Sequence, residues 1–551
     1  MLQNLVRPLL TVMILVLAFG CRSRSPGVVK ALTRPMGASE VIYFVVTDRF
    51  ADGDPANNHG GYKDLDWRID GYEPTQTRMF HGGDLKGLLG KLDYISSLGA
   101  TAIWLTPFQE NLSVQGDGTL AASSAGYHGY WIKNFLKVDP HLGTEEDLQK
   151  FIVAAHQRGI KVFADFVFNH TADIIGYREC QGTAPSETCP FNRAGYTPIV
   201  ASRMEHSKNP EWMNDTHRYH NQGSSVGGRV HPSDFGNLGK LNGDIAGLDD
   251  LNTEDTQVQS GLVDIYGYWI SQFRFDGVRV DTVRHAPLEF WSAVIPDLKA
   301  VAQKSGITDF YIFAEAWDSF TDTESRRALS RYVTDGPFDG ILDFSFQRYI
   351  RDVASGKKLA SDFKAYFYDD TFYGKSAPNQ LVTFTGNHDV GRLATFLRAD
   401  GVPEVEILER AKLAHAFQLL SRGIPVLFYG DEQGFAGDGG DADAREDMFA
   451  TKVPQYLDNK LIGTTATHLS DSFNPQHVLF RHMKDLIELR NEHPELSRGT
   501  TEWIEQSNPN LALFQRCLSA ECTVVGFNFS STVAMWNHQS IEPWNWKILG
   551  K

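Results

Sequence analysis

Hydrophobic positions from Val41 onward fall into short runs of β-branched and aromatic residues, separated by longer amphipathic segments. Short apolar runs bounded by polar turns predict buried strands, and the amphipathic segments predict helices. The strand candidates are Val41–Thr47, Thr101–Thr106, Lys161–Val167, Phe275–Val280, Phe310–Ala314, Gly340–Phe344, Leu381–Thr385 and Pro425–Tyr429. The clearest helical patterns between them are Leu85–Leu98, Glu145–Arg158, Leu288–Gln303 and Val405–Leu420.

The alternation of strands and helices indicates the fold class. Eight βα repeats with strongly hydrophobic strands predict an α/β protein built as a parallel (β/α)8 TIM barrel. An open doubly wound sheet is the competing architecture, but the sequence has no glycine-rich phosphate loop at the start of a helix. We therefore expect a barrel formed by residues 40–167 and 256–494.

Two stretches interrupt this alternation. Residues 168–255 form a long connection, rich in Gly, Asn, Ser and Asp, between the third strand candidate and the next helix. A connection of that length inside a compact domain is usually functional, and we predict an inserted, loop-rich domain there. The β-rich sequence after Pro494, such as Cys522–Phe529, predicts a small C-terminal β domain over residues 495–551.

The N-terminal segment has the layout of an export signal. Arg7 precedes the apolar run Leu9–Phe19, which is too short to span a bilayer. Cys21 follows directly, as it does at bacterial lipoprotein processing sites, where the cysteine becomes lipidated. We expect residues 1–21 to be a signal peptide of this type and residues 22–39 to be a tether. The alternatives are an ordinary cleaved signal and an uncleaved anchor.

The other four cysteines form two close pairs, Cys180 with Cys189 and Cys517 with Cys522. Both pairs lie in polar, loop-like sequence, and neither has the CxxC spacing or the neighbouring His of a zinc site. Two local disulfides are predicted, and these persist only in an oxidising compartment. Together with the signal, they predict an exported protein of the cell envelope, the periplasm or the extracellular space.

The charge balance narrows the range of partners. The formal net charge is −16, from 68 acidic and 52 basic residues. A surface of this sign repels nucleic acid and anionic lipid, so we expect neither as a partner, and membrane contact only through a lipid on Cys21. The same surface is compatible with a neutral substrate but does not identify one. We expect the protein to act as a monomer.

Polar residues collect at the C-terminal ends of several strand candidates, where the catalytic groups of a barrel stand. A single Asp at such a place is usually a helix N-cap, but acids, an Arg and His residues at successive strand ends point to chemistry. Cleavage of a glycosidic bond needs an ionised carboxylate for attack and a protonated one for the leaving oxygen. The residues in question are Asp165, His170, Arg279, Asp281, Glu315, Asn387, His388 and Asp389.

These residues fall into four ordered segments, which are Asp165–His170, Gly277–Asp281 with His285, Glu315, and Phe384–Asp389. The segments resemble the four motifs of glycoside hydrolase family 13, the α-amylase family, and the resemblance extends from Val41 to about Pro494. It implies that Asp281 is the nucleophile, Glu315 the general acid/base and Asp389 the stabiliser of the transition state. In such a retaining mechanism the carboxyl groups of Asp281 and Glu315 should lie about 5–5.5 Å apart.

The same resemblance implies contacts to an α-glucan substrate. Arg279 would orient Asp281 and keep it ionised through a charge-assisted hydrogen bond. His170 and His388 would bind the sugar beside the scissile bond. Tyr130 would stack on that sugar ring. The further substrate contacts expected are His128, Trp131, Asp441 and Arg445.

Two calcium sites are also implied by the resemblance. The interdomain site would use Asn169, Asp250 and the carbonyl oxygen of His285. The N-terminal site would use Asp52, Asp54, Asn57, Asn58, Gly82 and Asp84. Oxygen ligands from separated loops are what Ca²⁺ prefers, although Asp52–Asn58 taken alone also has the composition of a plain turn.

Endo-hydrolysis of α-1,4-glucosidic bonds in starch, glycogen or maltodextrins is the expectation within this family. Its cyclodextrin glucanotransferases usually carry an aromatic residue four positions before the calcium-binding Asp, where this chain has Ala246, and they carry further starch-binding modules. Both differences favour water as the acceptor. The alternatives are a maltogenic, cyclodextrin-degrading or transglycosylating enzyme, and a non-catalytic glucan-binding lipoprotein.

Overall fold

The computed structural model describes residues 37–180, 189–226, 230–318, 322–374 and 377–550. The predicted signal peptide, Cys21 and nearly all of the predicted tether lie outside this part of the chain. Within the described ranges, no helix is both long and apolar enough to cross a membrane.

A ring of eight parallel strands forms the centre of the protein. The strands are β1 (Ile42–Val45), β2 (Ala102–Leu105), β3 (Lys161–Phe166), β4 (Gly277–Val280), β5 (Tyr311–Ala314), β6 (Gly340–Ile341), β7 (Val382–Phe384) and β8 (Ile424–Phe428). They pair in the order β6-β5-β4-β3-β2-β1-β8-β7, and a parallel bridge between Leu342 and Val382 joins the two ends. The predicted (β/α)8 barrel is confirmed.

Helices alternate with these strands along the chain. The longer ones are Glu145–Gln157, Thr256–Phe273, Leu288–Lys304, Thr323–Thr334, Phe344–Ser355, Glu404–Leu420 and Val478–Glu492. The shorter ones are Thr47–Phe50, Trp67–Asp70, Leu85–Gly90, Leu92–Leu98, Leu238–Leu241, Phe363–Tyr368, Leu393–Ala399, Pro454–Leu457 and Pro494–Arg498. The single helix predicted over Leu85–Leu98 was wrong, because the backbone leaves the helical region at Lys91, with φ −107° and ψ 7°. Gly90 has a weak helix preference, which favours a break at this point.

The strand register brings polar groups into the barrel interior. The residues of β3 and β4 are all buried, as expected for parallel strands that are covered on both faces. Arg279 of β4 lies directly opposite Asp165 of β3 in the ladder. Since paired residues of adjacent strands point to the same face, the backbone pairing itself places the guanidinium beside the carboxylate.

Residues 168–255 leave the barrel after β3 and contain little regular structure. The described strands and helix here are His170–Thr171, Ile175–Tyr177, Pro198–Val200, Leu238–Leu241 and Asp249–Asp250. A disulfide joins Cys180 to Cys189. Lys208 and Asp249 form a buried ion pair, with Nζ 2.5 Å from Oδ2, which links two distant parts of the segment. The boundaries of this inserted domain stay a prediction.

A second sheet follows the barrel. Its antiparallel strands are β9 (Thr500–Trp503), β10 (Leu511–Leu518), β11 (Glu521–Asn528) and β12 (Asn545–Gly550). Cys517 and Cys522 lie directly opposite each other on β10 and β11 and form a disulfide. The predicted C-terminal β domain and both predicted disulfides are confirmed. Shorter antiparallel pairs are Gln109–Asn111 with Ile132–Val138, Val114–Gly116 with Ser123–Ala125, and Ala534–Trp536 with Gln539–Ile541.

Candidate active site

Two carboxylates stand directly after neighbouring barrel strands. Asp281 follows β4 and its backbone N–H donates to Phe166, at 3.0 Å, while Glu315 follows β5 and donates to Val280, at 2.8 Å. These bonds continue the parallel ladder by one residue beyond each strand. Both side chains are therefore fixed at the C-terminal end of the barrel, where the sequence analysis expected them.

Arg279 connects these carboxylates and a third one. Its Nη1 lies 2.7 Å from Oδ1 of Asp165 and 2.8 Å from Oδ1 of Asp281, and its Nη2 lies 2.9 Å from Oε2 of Glu315. The pairing with Asp281 was predicted, whereas those with Asp165 and Glu315 were not. Because Asp281 and Glu315 bind the two terminal nitrogens of a single planar group, their carboxylates face a common space.

Burial raises the proton affinity of both Asp281 and Glu315. It raises the pKa of Glu315 to about 7 and the pKa of Asp281 to about 6, and in both cases Arg279 offsets part of the increase. Glu315 also accepts a hydrogen bond from the backbone N–H of Thr282, at 3.0 Å. Because the charge of Asp281 raises the pKa of Glu315, the pair releases its protons in two separate steps. One ionised and one protonated carboxyl is the state that general acid catalysis beside a nucleophile requires.

Asp389 stands on the opposite side, at the end of β7, with Arg445. Nη2 of Arg445 lies 3.3 Å from Oδ1 of Asp389 and 2.6 Å from Oδ1 of Asp441. Nε of Arg445 donates to the carbonyl of His388, at 3.0 Å. Burial raises the pKa of Asp389, and Arg445 opposes that rise. The structure thus brings together Asp389, His388, Asp441 and Arg445, which were all expected to act on the substrate.

The predicted aromatic residues form a stacked group over the site. The hydroxyl of Tyr130 donates to Oδ2 of Asp165, at 2.9 Å, and its ring is stacked with that of His388, with centroids 5.5 Å apart. His128 is also stacked with Tyr130, and Trp131 meets His128 edge-on, at 4.6 Å. Trp131 therefore contacts the imidazole without being stacked on it.

His170 lies in the short strand that pairs with Asp249–Asp250, directly opposite Asp250. Burial lowers the pKa of His170 to about 4 and places the pKa of His388 well below its usual range. Both rings are therefore neutral near pH 7, so each can donate one hydrogen bond and accept another. Neutral donors and acceptors of this kind suit the hydroxyl groups of a sugar.

Two further features of the site were not anticipated. Trp104 of β2 donates its indole N–H to Oδ2 of Asp165, at 3.1 Å, so that Asp165 is held by the indole, by Tyr130 and by Arg279. The signal in the sequence was an indole donor one residue before the end of a strand. Lys240 lines the cleft from the inserted segment, and no local pattern indicated its position.

An open cleft of about 410 Å³ lies above these groups. Its lining includes the two acids Glu315 and Asp389, together with Ala246, His285 and Asp441. Trp317, two residues after Glu315, also lines it and is 50% exposed, so a flat apolar ring is available to a ligand there.

Comparison with known proteins identifies the family. Residues 44–499 match the family model described as alpha amylase, catalytic domain. The chain belongs to the α-amylase family. A curated alpha-amylase of Streptomyces lividans is 41% identical over 495 residues, which cover 84% of this chain and 52% of that relative. The chain therefore spans about half the length of that family member.

Solved structures of the family agree with this assignment. The alpha-amylase from Anoxybacillus superimposes with a TM-score of 0.67 and 29% identity, covering 91% of this chain and 89% of that one. A cyclomaltodextrin glucanotransferase with a three-domain ABC distribution superimposes with a TM-score of 0.72 and 25% identity. The match covers 92% of this chain and 98% of that one. The fold is thus shared with members of the family whose names denote hydrolysis and with others whose names denote glucan transfer.

The interdomain calcium site expected for the family has a suitable oxygen available. The side-chain carbonyl of Asn169 is buried and has no hydrogen-bond partner among the described residues, while its amide donates to Oδ1 of Asp250, at 3.0 Å. Oδ2 of Asp250 lies 2.5 Å from Nδ1 of His220. The ring of His285 is hydrogen-bonded to the carbonyl of Lys240. An unsatisfied amide oxygen beside a buried carboxylate fits Ca²⁺.

The expected N-terminal site is more completely assembled. Asp84 accepts a hydrogen bond from the amide of Asn57, at 3.2 Å, and Asp52 accepts one from the amide of Asn58, at 3.0 Å. The carbonyl oxygens of both amides are buried and lack partners within the described ranges. A Cβ on Gly82 would come within 2.6 Å of Asn58, so glycine leaves room for the Asn58 side chain.

Asp54 occupies the rim of this second group. Its carboxylate pairs with Lys86, with Nζ 2.5 Å from Oδ2, and the backbone N–H of Asp54 donates to Asp84. Across the described part of the chain, no three His, Cys, Asp or Glu side chains come together in a way that could hold a metal ion. Both expected sites draw in addition on amide and carbonyl oxygens, and the oxygen types present fit Ca²⁺.

Proposed function

We propose that the protein hydrolyses internal α-1,4-glucosidic bonds of starch, glycogen or maltodextrins, with retention of configuration. The observation that carries this proposal is the sharing of Arg279 between Asp281 and Glu315, beside an open cleft that Glu315 lines. The guanidinium holds two buried, interacting carboxylates close together, so that one can keep a proton while the other is ionised. That is the pair of states a retaining glycosidase needs.

The reaction steps follow from the protonation states of Asp281 and Glu315. Glu315 donates its proton to the glycosidic oxygen while a carboxylate oxygen of Asp281 attacks the anomeric carbon, so the bond to the leaving sugar breaks and a covalent glycosyl ester forms. Glu315, now ionised, removes a proton from water. The resulting hydroxide equivalent attacks the same carbon and displaces Asp281. Two inversions give a product with the α configuration, and both carboxyl groups return to their starting states.

The remaining polar groups act on the substrate around this reaction. Asp389, held by Arg445, faces the cleft and would stabilise the positive charge that develops on the sugar ring. Tyr130 offers its ring as a stacking surface, and the neutral imidazoles of His170 and His388 can hydrogen-bond sugar hydroxyls. These roles are those that the family resemblance implies.

We propose water as the acceptor of the glycosyl group because of the small side chain at position 246 of the cleft. Ala246 lines the cleft at the position where glucanotransferases of the family usually carry a large aromatic ring. A methyl group gives an acceptor sugar little surface to pack on, which favours water. Transfer to a second glucan is the second candidate, because Trp317 is half exposed in the same cleft.

Calcium and export complete the proposal. When bound, calcium would tie together loops around the cleft through Asn169, Asp250 and the carbonyl of His285, and it would also order the turn that contains Asp52. The two disulfides support export, because such bonds persist in oxidising compartments. The lipid anchor on Cys21 remains a proposal that rests on the sequence.

Time-resolved NMR of maltoheptaose, soluble starch, pullulan and β-cyclodextrin, with the wild type and Glu315→Gln, tests the activity. We expect short products that appear first as α-anomers from starch and maltoheptaose, and cleavage by Glu315→Gln that is slower by about a hundred- to ten-thousandfold. Binding of starch with no release of reducing ends would overturn it in favour of a glucan-binding protein. Preferred attack on cyclodextrin or pullulan, or growth of longer oligomers, would keep the carboxylate pair and change the reaction.

A further inference from the structure

A second groove runs along the outside of the barrel, on the helix Thr256–Phe273. Two cavities, of about 700 and 650 Å³, lie on this helix, and Tyr268 lines both of them. The first continues to Trp212 in the inserted segment, and the second continues to the helix Glu145–Gln157. Within the described ranges, neither cavity shares a lining residue with the cleft above Glu315.

The lining of the groove follows the helical repeat. Gln257, Gly261, Asp264, Tyr268 and Gln272 are spaced three or four positions apart, so they form one face of the helix. At 1.5 Å per residue this face is about 22 Å long. The groove is therefore long enough to hold several consecutive units of a polymer rather than a single small molecule.

Two aromatic rings are presented along this face. Tyr268 is 39% exposed, and its ring is held by edge contacts to Trp269 and Phe273, with centroids 5.1 and 6.4 Å away. Trp212 lies against the helix at Gly261, where a Cβ would come within 2.6 Å of the indole. The glycine therefore allows the indole to rest on the helix, and both rings are oriented before any ligand arrives.

The polar lining selects the chemistry of the ligand. Uncharged hydrogen-bonding side chains, Gln149, Gln257, Ser260 and Gln272, lie along the groove beside the rings. Three carboxylates and one amine also line it, from Glu145, Glu146, Asp264 and Lys150. An acidic balance disfavours anionic ligands. Flat apolar rings interleaved with amides and hydroxyls suit an uncharged chain with apolar ring faces and many hydroxyl groups.

We propose that this groove binds a chain of α-glucan outside the catalytic cleft, with Tyr268 and Trp212 as stacking surfaces. The choice of α-glucan rests on the proposed function, while the choice of an uncharged polysaccharide rests on the groove itself. Occupation of the groove would hold a polymer on the enzyme while other segments reach the cleft, which raises their effective concentration. Short, soluble substrates would gain nothing from it.

Adsorption to starch granules at 4 °C, in the Glu315→Gln background, tests the groove. We expect Tyr268→Ala to weaken adsorption about tenfold, corresponding to the loss of one stacking ring, and the double variant with Trp212→Ala to weaken it further. Tyr368→Ala is the matched control, because Tyr368 is 74% exposed on the helix Phe363–Tyr368 and should leave adsorption unchanged. In the otherwise wild-type enzyme, Tyr268→Ala should leave kcat/KM on maltoheptaose within twofold.

The outcomes separate this proposal from the proposed function. If Tyr268→Ala and Tyr368→Ala adsorb alike, or if Tyr268→Ala changes only the oligomeric state in sedimentation, the groove is not a glucan site. If Tyr268→Ala lowers kcat/KM on maltoheptaose as much as it lowers adsorption, the effect is not confined to the groove and the proposal is wrong. If the wild type fails to cleave maltoheptaose, the proposed function is wrong, while the adsorption series still decides whether the groove binds glucan.

Discussion

Arg279 and Glu315 form a buried ion pair in which Nη2 lies 2.9 Å from Oε2. The same guanidinium holds Asp281 and Asp165 through Nη1. One buried positive charge is therefore paired with three buried carboxylates. Because an ion pair of this kind stabilises the charged form of each acid, Arg279 limits how far burial can raise their pKa values.

Replacement of Arg279 should cost both stability and activity. Arg279→Met leaves three buried carboxylates without their cation, and we expect a loss of about 3–5 kcal/mol in the free energy of unfolding, measured with urea. Arg279→Lys keeps the positive charge but loses the planar guanidinium, whose two terminal nitrogens contact Asp281 and Glu315 at the same time. We therefore expect a large decrease in kcat and only a small decrease in the free energy of unfolding. Wild-type kcat in Arg279→Lys would contradict the positioning role.

Activity should have a bell-shaped pH dependence. Attack needs Asp281 ionised, so kcat/KM should rise as pH passes its pKa of about 6. Protonation of the leaving oxygen needs Glu315 protonated, so kcat/KM should fall above its pKa of about 7. The charge of Asp389 raises the pKa of both Asp281 and Glu315. In the residual activity of Asp389→Asn, both the rising and the falling limb of the pH profile should therefore shift to lower pH.

The control for that experiment is Asp335→Asn, which removes an exposed carboxylate whose own partner is Arg331. Its profile should coincide with that of the wild type. Limbs that stay in place in Asp389→Asn would show that the two pKa values are set by other groups.

The roles of the two carboxylates can be distinguished by the leaving group. Glu315→Gln removes the acid, and we expect kcat/KM on maltoheptaose to fall about a hundred- to ten-thousandfold. An aryl maltoside with an acidic phenol needs no proton to leave, so release of the phenol should be much less affected. Asp281→Asn removes the nucleophile and should impair both substrates equally. Equal losses in Glu315→Gln would argue against its acid role.

Calcium should stabilise the fold. Treatment with EGTA should lower Tm, and calcium should restore it, since a ligand at a hundred times its Kd contributes about 2.7 kcal/mol. Asn169→Ala and Asn58→Ala should each remove part of this dependence, because each takes away a buried oxygen that lacks a protein partner. Asn545→Ala, on the exposed start of β12, is the control. If EGTA leaves the Tm of the wild type unchanged, neither of the two expected calcium sites is occupied in the protein.

Ala246 should control the fate of the glycosyl intermediate. Ala246→Tyr adds a ring to the cleft wall, and we expect the ratio of transfer to hydrolysis to increase several-fold, seen as oligomers longer than the maltoheptaose supplied. Ala246 has φ 50°, a left-handed conformation that costs free energy for any side chain, so Ala246→Leu controls for backbone strain without supplying a flat ring. Similar product ratios in all three proteins would overturn the argument about the acceptor.

Local patterns were sufficient for much of the architecture. Each barrel strand is a short run of consecutive hydrophobic residues, which can be recognised without knowledge of the tertiary structure. The strands β1 to β8 were therefore predicted close to their observed positions. The cysteine pairs were predicted for the same reason, because each pair is close in sequence. The break at Lys91 was missed, since an amphipathic pattern continues through a single distorted turn.

The sequence by itself thus determined the barrel, the C-terminal sheet, the disulfides and the strand ends at which polar residues stand. Only the tertiary structure decided that Arg279 holds Glu315 as well as Asp281, that Trp104 supports Asp165, and that burial raises the pKa of both acids. The groove at Tyr268 is also a feature that only the tertiary structure shows, because the rings of Tyr268 and Trp212 come from separate segments of the chain. Strand formation depends on neighbours along the chain, whereas proton affinity and ligand surfaces depend on burial and on charges that only folding brings together.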